Sequence, residues 1–237
     1  MKLNKLIAIA TISLLSGGIS MAQKALNLED IVAGNIIQTK GIGSMTWLKD
    51  GERYSRLENN KQTGGTDIVA YRAKDNSREV IIPSSLLTDK STGRPIPVRS
   101  VSWSADNEKV LIYNNTRRVW RYDTRGDYWV LNLKDGALRQ LGKGMPESSM
   151  MFAKFSPDGT RVAYVSNNNI YVEDIDSGKI TQLTKDGSDT IVNGTFDWVY
   201  EEEFSCRDGF RWSPDGKHIA YWQSDTKGTG VFDIINN

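Results

Sequence analysis

Asp197-Trp198-Val199-Tyr200-Glu201-Glu202-Glu203-Phe204 sets three successive carboxylates among aromatic side chains. Most charge runs are solvated loops. Two features argue against that here. Trp198, Tyr200 and Phe204 flank the acids and would prefer partial burial, and the run falls where a strand should be starting. On a strand, Glu202 and Glu203 would point to opposite faces. On one turn of helix they lie about 100° apart and can lean toward one ligand. A short helical insertion is therefore the geometry that makes the pair useful. Two carboxylates held together repel, and the pKa of one rises unless a cation is bound. A calcium loop calls for a spaced D-x-D-x-D-G pattern of oxygen ligands, which is absent. An ammonium with three N–H donors suits two carboxylates. From the residues alone, an ammonium site and a solvated acidic loop both stay open.

The elements that must position this segment are repeats. Phe155-Ser156-Pro157-Asp158-Gly159-Thr160-Arg161-Val162-Ala163-Tyr164 is nearly copied by Trp212-Ser213-Pro214-Asp215-Gly216-Lys217-His218-Ile219-Ala220-Tyr221. Weaker copies begin at Trp103 and Trp47, so the aromatic anchors at 47, 103, 155 and 212 are spaced 56, 52 and 57 residues apart. Each copy reads as strand, tight turn, strand, with Pro, Asp and Gly supplying the turn. A second hairpin follows, as in Ile170–Ile175 leading through Asp176-Ser177-Gly178-Lys179 into Ile180–Thr184. Four strands at this period predict β-propeller blades. The expected fold class is all-β: an incomplete propeller of about three to four four-stranded blades with a short helical double-Glu insertion. An open β-sandwich is the alternative. The final stretch from Gly230 reads as stopping in mid-strand, so a truncated product or an incomplete gene model is expected.

The chain has 237 residues, with 30 Lys+Arg against 29 Asp+Glu and one His, a formal net charge of +1. That balance excludes a nucleic-acid partner drawn by bulk charge. One Cys, Cys206, excludes a disulfide framework or a Cys-rich zinc site, and is read as a free, shielded thiol. One His excludes a multi-His metal centre; no metal and no cofactor are expected.

Residues 1–22 read as a secretory signal peptide. Lys2 and Lys5 precede the apolar run Leu6–Leu15, and Ser20-Met21-Ala22 supplies small residues before Gln23. The run is short of the ~20 residues that span a bilayer, although an uncleaved anchor is the alternative. The expected location is secreted or periplasmic, with no membrane span after cleavage and a partial propeller domain over 23–237.

The string Asp-Trp-Val-Tyr-Glu-Glu-Glu resembles the double-glutamate motif of the dipeptidyl peptidase IV family, within the prolyl oligopeptidase family of serine peptidases. Ile191-Val192-Asn193-Gly194 before it and Arg211-Trp212-Ser213-Pro214-Asp215-Gly216 after it agree, as does Leu26-Asn27-Leu28-Glu29-Asp30-Ile31. The resemblance covers essentially residues 25–237. It implies that Glu202 and Glu203 bind the α-ammonium of a peptide substrate with a free N-terminus, with Glu201, Trp198 and Tyr200 in support. It further implies an arginine that contacts a substrate carbonyl and steadies the glutamates. Arg121, in the Trp120-Arg121 step ahead of Tyr128-Trp129-Val130, matches that placement, with Arg125 next; otherwise Arg121 belongs to a surface cluster with Arg117, Arg118 and Arg125.

The implied activity is serine-type removal of N-terminal dipeptides of X-Pro or X-Ala type, by a protein that can dimerise when full length. The family nucleophile lies in a Gly-x-Ser-x-Gly elbow, and none occurs here. The only histidine, His218, sits at a hairpin turn, so no Ser-His-Asp triad can be assembled and the isolated chain is expected to be inactive. Ser205–Phe210 departs from the family's more aromatic continuation, which leaves a tripeptidyl or related peptidase open. The alternative class is a non-catalytic periplasmic propeller that binds peptides or proteins.

Overall fold

The computed structural model describes residues 27–32, 41 and 43–230; the signal-peptide segment and the run from residue 231 lie outside the described residues. The chain divides into two compact units, residues 1–42 and 43–237. In the first, Leu28–Val32 forms a single helical turn, α1.

The second unit is built from antiparallel sheets. The first contains β1 (Thr46–Trp47), β2 (Arg53–Asn59), β3 (Thr66–Arg72) and β4 (Arg78–Ile82), in that spatial order. A 3-10 turn, Ser84–Leu87, and a hairpin of two-residue strands, β5 (Thr88–Asp89) with β6 (Arg94–Pro95), lead onward, an addition to the expected four strands. The second sheet contains β7 (Ser100–Trp103), β8 (Lys109–Val119), β9 (Tyr122–Asn132) and β10 (Leu138–Gln140). The third contains β11 (Met151–Phe155), β12 (Arg161–Ser166), β13 (Asn169–Asp174) and β14 (Ile180–Gln182). All three are four-stranded meanders, the sheet form of a propeller blade.

The four aromatic anchors each end the strand before the tight turn: Trp47, Trp103 and Phe155 end β1, β7 and β11, and Trp212 ends the strand Phe210–Trp212. The turns repeat atom for atom. Ser104, Ser156 and Ser213 hydroxyls each donate to the aspartate two residues on, at 2.6, 2.5 and 2.6 Å. Each such pair satisfies polar groups locally and fixes the reversal.

Strand alternation drives the packing of one sheet on the next. Val110, Ile112 and Leu131 face the first sheet and pack with Ile68, Ile82 and Leu87. Their neighbours Leu111 and Val130 face the other way and join Val162, Tyr164 and Ile175 of the third. Phe210 completes the next layer with Ala163, Val165 and Ile170. Every one of these side chains is at least nine-tenths buried. At about 1.5–3 kcal/mol for each large aliphatic or aromatic side chain fully buried, this layering dominates the stability. Indole N–H groups stitch the layers: Trp103 Nε1 donates to Ser55 Oγ at 3.2 Å, and Trp212 Nε1 donates to Lys154 O at 3.3 Å.

The fourth unit differs from its expected form. Before Trp212 comes an additional strand, β15 (Ile191–Asn193), whose partner is β18 (Gln223–Asp225). The usual hairpin is β16 (Phe210–Trp212) with β17 (Ile219–Tyr221). The acidic segment therefore departs from the end of β15, not from the last strand of the preceding sheet. Its two stems close on backbone: Thr195 bridges Asp208, Gly209 N donates to Gly194 O at 3.0 Å, and Gly194 N donates to Trp222 O at 2.9 Å. Gly194 has φ +73°, and a Cβ on Gly209 would lie 2.9 Å from Gly194 C and Thr195 N. Those neighbours are main chain and cannot swing away.

Lys154 of β11 joins the third sheet to this root. Its ammonium donates to Asp208 Oδ1 at 2.5 Å and Phe210 O at 3.0 Å, and lies 3.6 Å from the centre of the Phe210 ring. Burial pulls the amine down to about 8, against the pull of Asp208 in the other direction.

Two outcomes are expected. Gly209→Ala should destabilise the fold by about 1–3 kcal/mol through overpacking, read as a lower thermal midpoint. Between pH 8 and the ordinary lysine range near 10.5, the native state holds fewer protons at Lys154 than the unfolded chain. Stability should therefore rise with pH through that window by way of this group. Denaturant titrations of the parent and Lys154→Met should diverge there, the variant lacking that component of the slope.

Candidate functional site

The acidic run is a helix, α2 (Trp198–Phe204). Asp197 is its N-cap: extended at φ −80°, ψ 179°, it accepts from Tyr200 N–H at 3.0 Å. That satisfies one of the orphan donors of the first turn. Ser205 ends it in the left-handed region at φ 54°, and Cys206 N–H closes on Tyr200 O at 3.1 Å. Seven residues are too few to hold a helix alone in water, so the closed root and side-chain contacts must hold it.

One face of that support is aromatic. Tyr200 stacks on Phe196 with ring centres 5.3 Å apart, Phe204 follows at 5.6 Å, and Trp222 meets Phe196 at 6.1 Å. The flanking aromatics stay more exposed than their type suggests: Trp198 is 52% and Phe204 65% exposed. Trp198 thus sits on an open face, and Tyr200 within the ring ladder.

The other support comes from the second sheet. Strands β8 and β9 run 11 residues each and project beyond their neighbours as an arm. Val119 pairs with Tyr122, leaving Trp120 and Arg121 as a two-residue turn with Trp120 at φ 51°. At the root, Asn115 Nδ2 donates to Asp127 Oδ2 at 2.7 Å and to Glu147 Oε1 at 2.8 Å. Ser148 N–H donates to Asp127 Oδ1 at 2.8 Å and its hydroxyl to Asn115 O at 2.6 Å. Tyr113 OH holds the arm from within, donating toward Asp123 O and Arg125 O.

The arm tip meets α2. Arg121 Nη2 lies 2.8 Å from Glu202 Oε2. The glutamate side chain is only 9% exposed, whereas the arginine is 71% exposed. Beside this contact, the Arg207 guanidinium lies 4.1 Å from the Tyr122 ring centre. Glu203 is exposed and has no ion-pair partner among the described residues. Glu201 is buried at 4% exposure, and its Oε1 has no hydrogen-bond partner. Burial raises its carboxyl above the usual range; Arg207 opposes that most, Glu202 adds to it, and Arg121 opposes it.

Of the residues singled out in the sequence, the structure brings Arg121 onto Glu202, with Glu201 buried beside them; Glu203 follows on the helix and is exposed. Arg125 lies further down the arm, opposite Arg117. Sequence reasoning did not single out Arg207 or Tyr122; both stand next to quoted residues, but only the fold shows that they touch. Cys206 is partly exposed and free, less shielded than expected. His218 is exposed, its backbone N–H held by Ser213 Oγ. The cavity beside the root, about 400 Å³, is lined by Asp208–Arg211 and Ala220–Trp222 and by none of the three glutamates. No group of three or more His, Cys, Asp or Glu able to hold a metal occurs among the described residues. No helix among them is long and apolar enough to cross a membrane.

Comparison with known proteins bears on this arrangement. The sequence model of the family described as "Dipeptidyl peptidase IV (DPP IV) N-terminal region" matches residues 104–237. A probable dipeptidyl-aminopeptidase B of Chaetomium globosum is 36% identical over 135 residues, covering 56% of this chain and 15% of the relative. The counterpart from Aspergillus terreus is 28% identical over 220 residues, covering 89% of this chain and 24% of the relative. Among solved structures, Porphyromonas gingivalis dipeptidyl peptidase 4 superposes with a TM-score of 0.69 at 26% identity, over 85% of this chain and 28% of that one. The chain thus spans about a quarter or less of the length of these curated relatives. With its propeller sheets, its glutamate helix and a family match over more than half its length, the chain belongs to the dipeptidyl peptidase IV N-terminal region family.

Proposed function

We propose that residues 23–237 form the substrate-gating and substrate-binding propeller portion of a secreted serine exopeptidase that releases N-terminal dipeptides of X-Pro or X-Ala type. Residues 1–22 act as the signal peptide that carries it out of the cytoplasm, into the periplasm or beyond. Glu202 and Glu203 take the α-ammonium of the substrate, Arg121 steadies them from the arm, and Glu201, Trp198 and Tyr200 give support. The partner is thus a peptide with a free N-terminus, and a homodimer is the form proposed for the full-length protein.

One observation carries this reading: Glu202 is already fixed by Arg121, while Glu203, the next residue on the same helix, is left without a counter-charge. Charge counting agrees. Glu202 has the Arg121 guanidinium beside it and Glu203 has none, so one further positive charge balances the pair. An ammonium supplies that charge with three donors, a better match than a neutral or acylated amine. Fixing the amino end at a set distance from the scissile bond is what turns an endopeptidase into a dipeptide-releasing enzyme. No nucleophile is assigned to these residues, because no Gly-x-Ser-x-Gly occurs among them.

The test uses the full-length gene product and an X-Pro chromogenic amide. Glu202→Ala and Glu203→Ala are each expected to lower kcat/KM by about two orders of magnitude, the usual scale for removing one partner of a desolvated charge pair. N-acetylation of the substrate should cost a similar factor with the parent protein. Normal turnover by both variants, or equal turnover of the acetylated substrate, would overturn the assignment.

A further inference from the structure

The arm meets the helical insertion through two side-by-side contacts, and only one of them, Arg121 with Glu202, follows from the motif. The second joins Arg207, three residues beyond the helix, to Tyr122, the residue after Arg121. We infer that Arg207 is a positioning residue of the ammonium site: its guanidinium clamps the Tyr122 ring, and so holds the arm tip where Arg121 can grip Glu202. This rests on the reading of α2 as the ammonium site.

Three observations carry it. The first is placement. Tyr122 is the first residue of β9, directly after the two-residue turn, so fixing its ring fixes the turn that bears Arg121. Arg121 is itself 71% exposed, and an exposed guanidinium held by one contact keeps most of its rotamer freedom. A second anchor one residue away removes that freedom at the backbone.

The second is support beneath Arg207. Its neighbour Asp208 is tied to the third sheet by Lys154 Nζ and to Arg211 Nη1 at 2.9 Å, and Arg207 O accepts from Thr195 Oγ1 at 3.1 Å. Gly209 then closes the insertion root. Arg207 thus projects from a fixed point, whereas Tyr122 rides on the end of a long arm, so the clamp transmits position from the root to the tip.

The third is charge. Arg207 is the cation that most offsets the burial of Glu201. Losing it would leave an acid that is 4% exposed, with Oε1 already unpartnered, beside the glutamates that take the ammonium. Arginine suits both tasks, because a planar guanidinium lies flat on a ring face and is weakly hydrated.

The experiment again uses the full-length gene product, with KM and kcat measured separately on the free-amine X-Pro amide. Arg207→Ala and Tyr122→Ala should each raise KM by about fivefold, a cation–π contact of ~1 kcal/mol, with kcat changed much less. The double variant should lose no more than Arg207→Ala alone, because the Tyr122 loss acts through a contact that Arg207→Ala already removes. Tyr122→Phe keeps the ring face and should retain most of the affinity that Tyr122→Ala loses. Arg207→Lys should fall between parent and Arg207→Ala. Additive losses, or a Tyr122→Phe variant as impaired as Tyr122→Ala, would overturn the inference.

A second readout does not depend on the ammonium reading. With Cys206→Ser as background, spin labels at Arg118→Cys on the arm and Val199→Cys on α2 report the distance between them. Arg207→Ala should broaden that distribution. If Glu202→Ala and Glu203→Ala both leave turnover unaltered while Arg207→Ala still broadens the distance, the ammonium reading fails and the clamp stands. If the distribution stays unchanged in Arg207→Ala, the clamp fails whatever the kinetics show.

Discussion

Glu202 is a carboxylate with a side chain only 9% exposed, and the Arg121 guanidinium 2.8 Å away is what makes that burial tolerable. A buried acid without its partner costs several kcal/mol. Both partners come from departures from the blade pattern. Arg121 sits at the end of an arm longer than any blade strand needs, and Glu202 sits on a helix that interrupts the fourth unit. Neither departure has a hydrophobic layer of its own to hold it. The arm depends on the polar cluster at its root, and the seven-residue helix depends on its Asp197 cap, its ring ladder and its backbone-closed stems.

The layers beneath are regular because the chemistry above is not. Each central strand divides its side chains between two neighbours, Leu111 to one side and Val110 and Ile112 to the other, so the sheets cannot slip by one residue without turning the core outward. The repeated Ser-x-Asp turns satisfy themselves locally, and the Trp103 and Trp212 indoles register adjacent layers. This regularity gives the two excursions a fixed frame, and Lys154 extends it to the foot of the helix.

Much of the fold was legible in sequence. The anchors at 47, 103, 155 and 212 mark the first strands because a large aromatic before a tight turn is a local signal, repeated. The helix was legible because only a helical turn lets Glu202 and Glu203 approach one ligand, and Asp197 is a natural cap. The pairing of β15 with β18 was not legible, since Ile191–Asn193 and Gln223–Asp225 are short, lie some thirty residues apart and enclose a helix and another hairpin. The same holds for Arg207 and Tyr122. Their contact joins the arm to the loop after α2 and leaves no spacing pattern, and Arg207 reads in sequence as one more surface arginine. The exposure of Trp198, Tyr200 and Phe204, at 52%, 44% and 65%, ran against expectation because the rings of Tyr200 and Phe204 lean on each other and on Phe196 at the surface rather than on a buried layer.

The arm has a mechanical consequence. Beyond Asn114 and Asp127, the last bonded pair of the sheet proper, five residues of β8 lead to the turn, a reach of about 17 Å at the usual strand rise. Over that reach, a tilt of about 7° at the base sweeps the tip through about 2 Å, several times the latitude a hydrogen bond allows. Asn115, Asp127, Glu147 and Ser148 thus work as the pivot of a lever, and a slight slackening there is magnified at the far end, in a place none of the four ever touches.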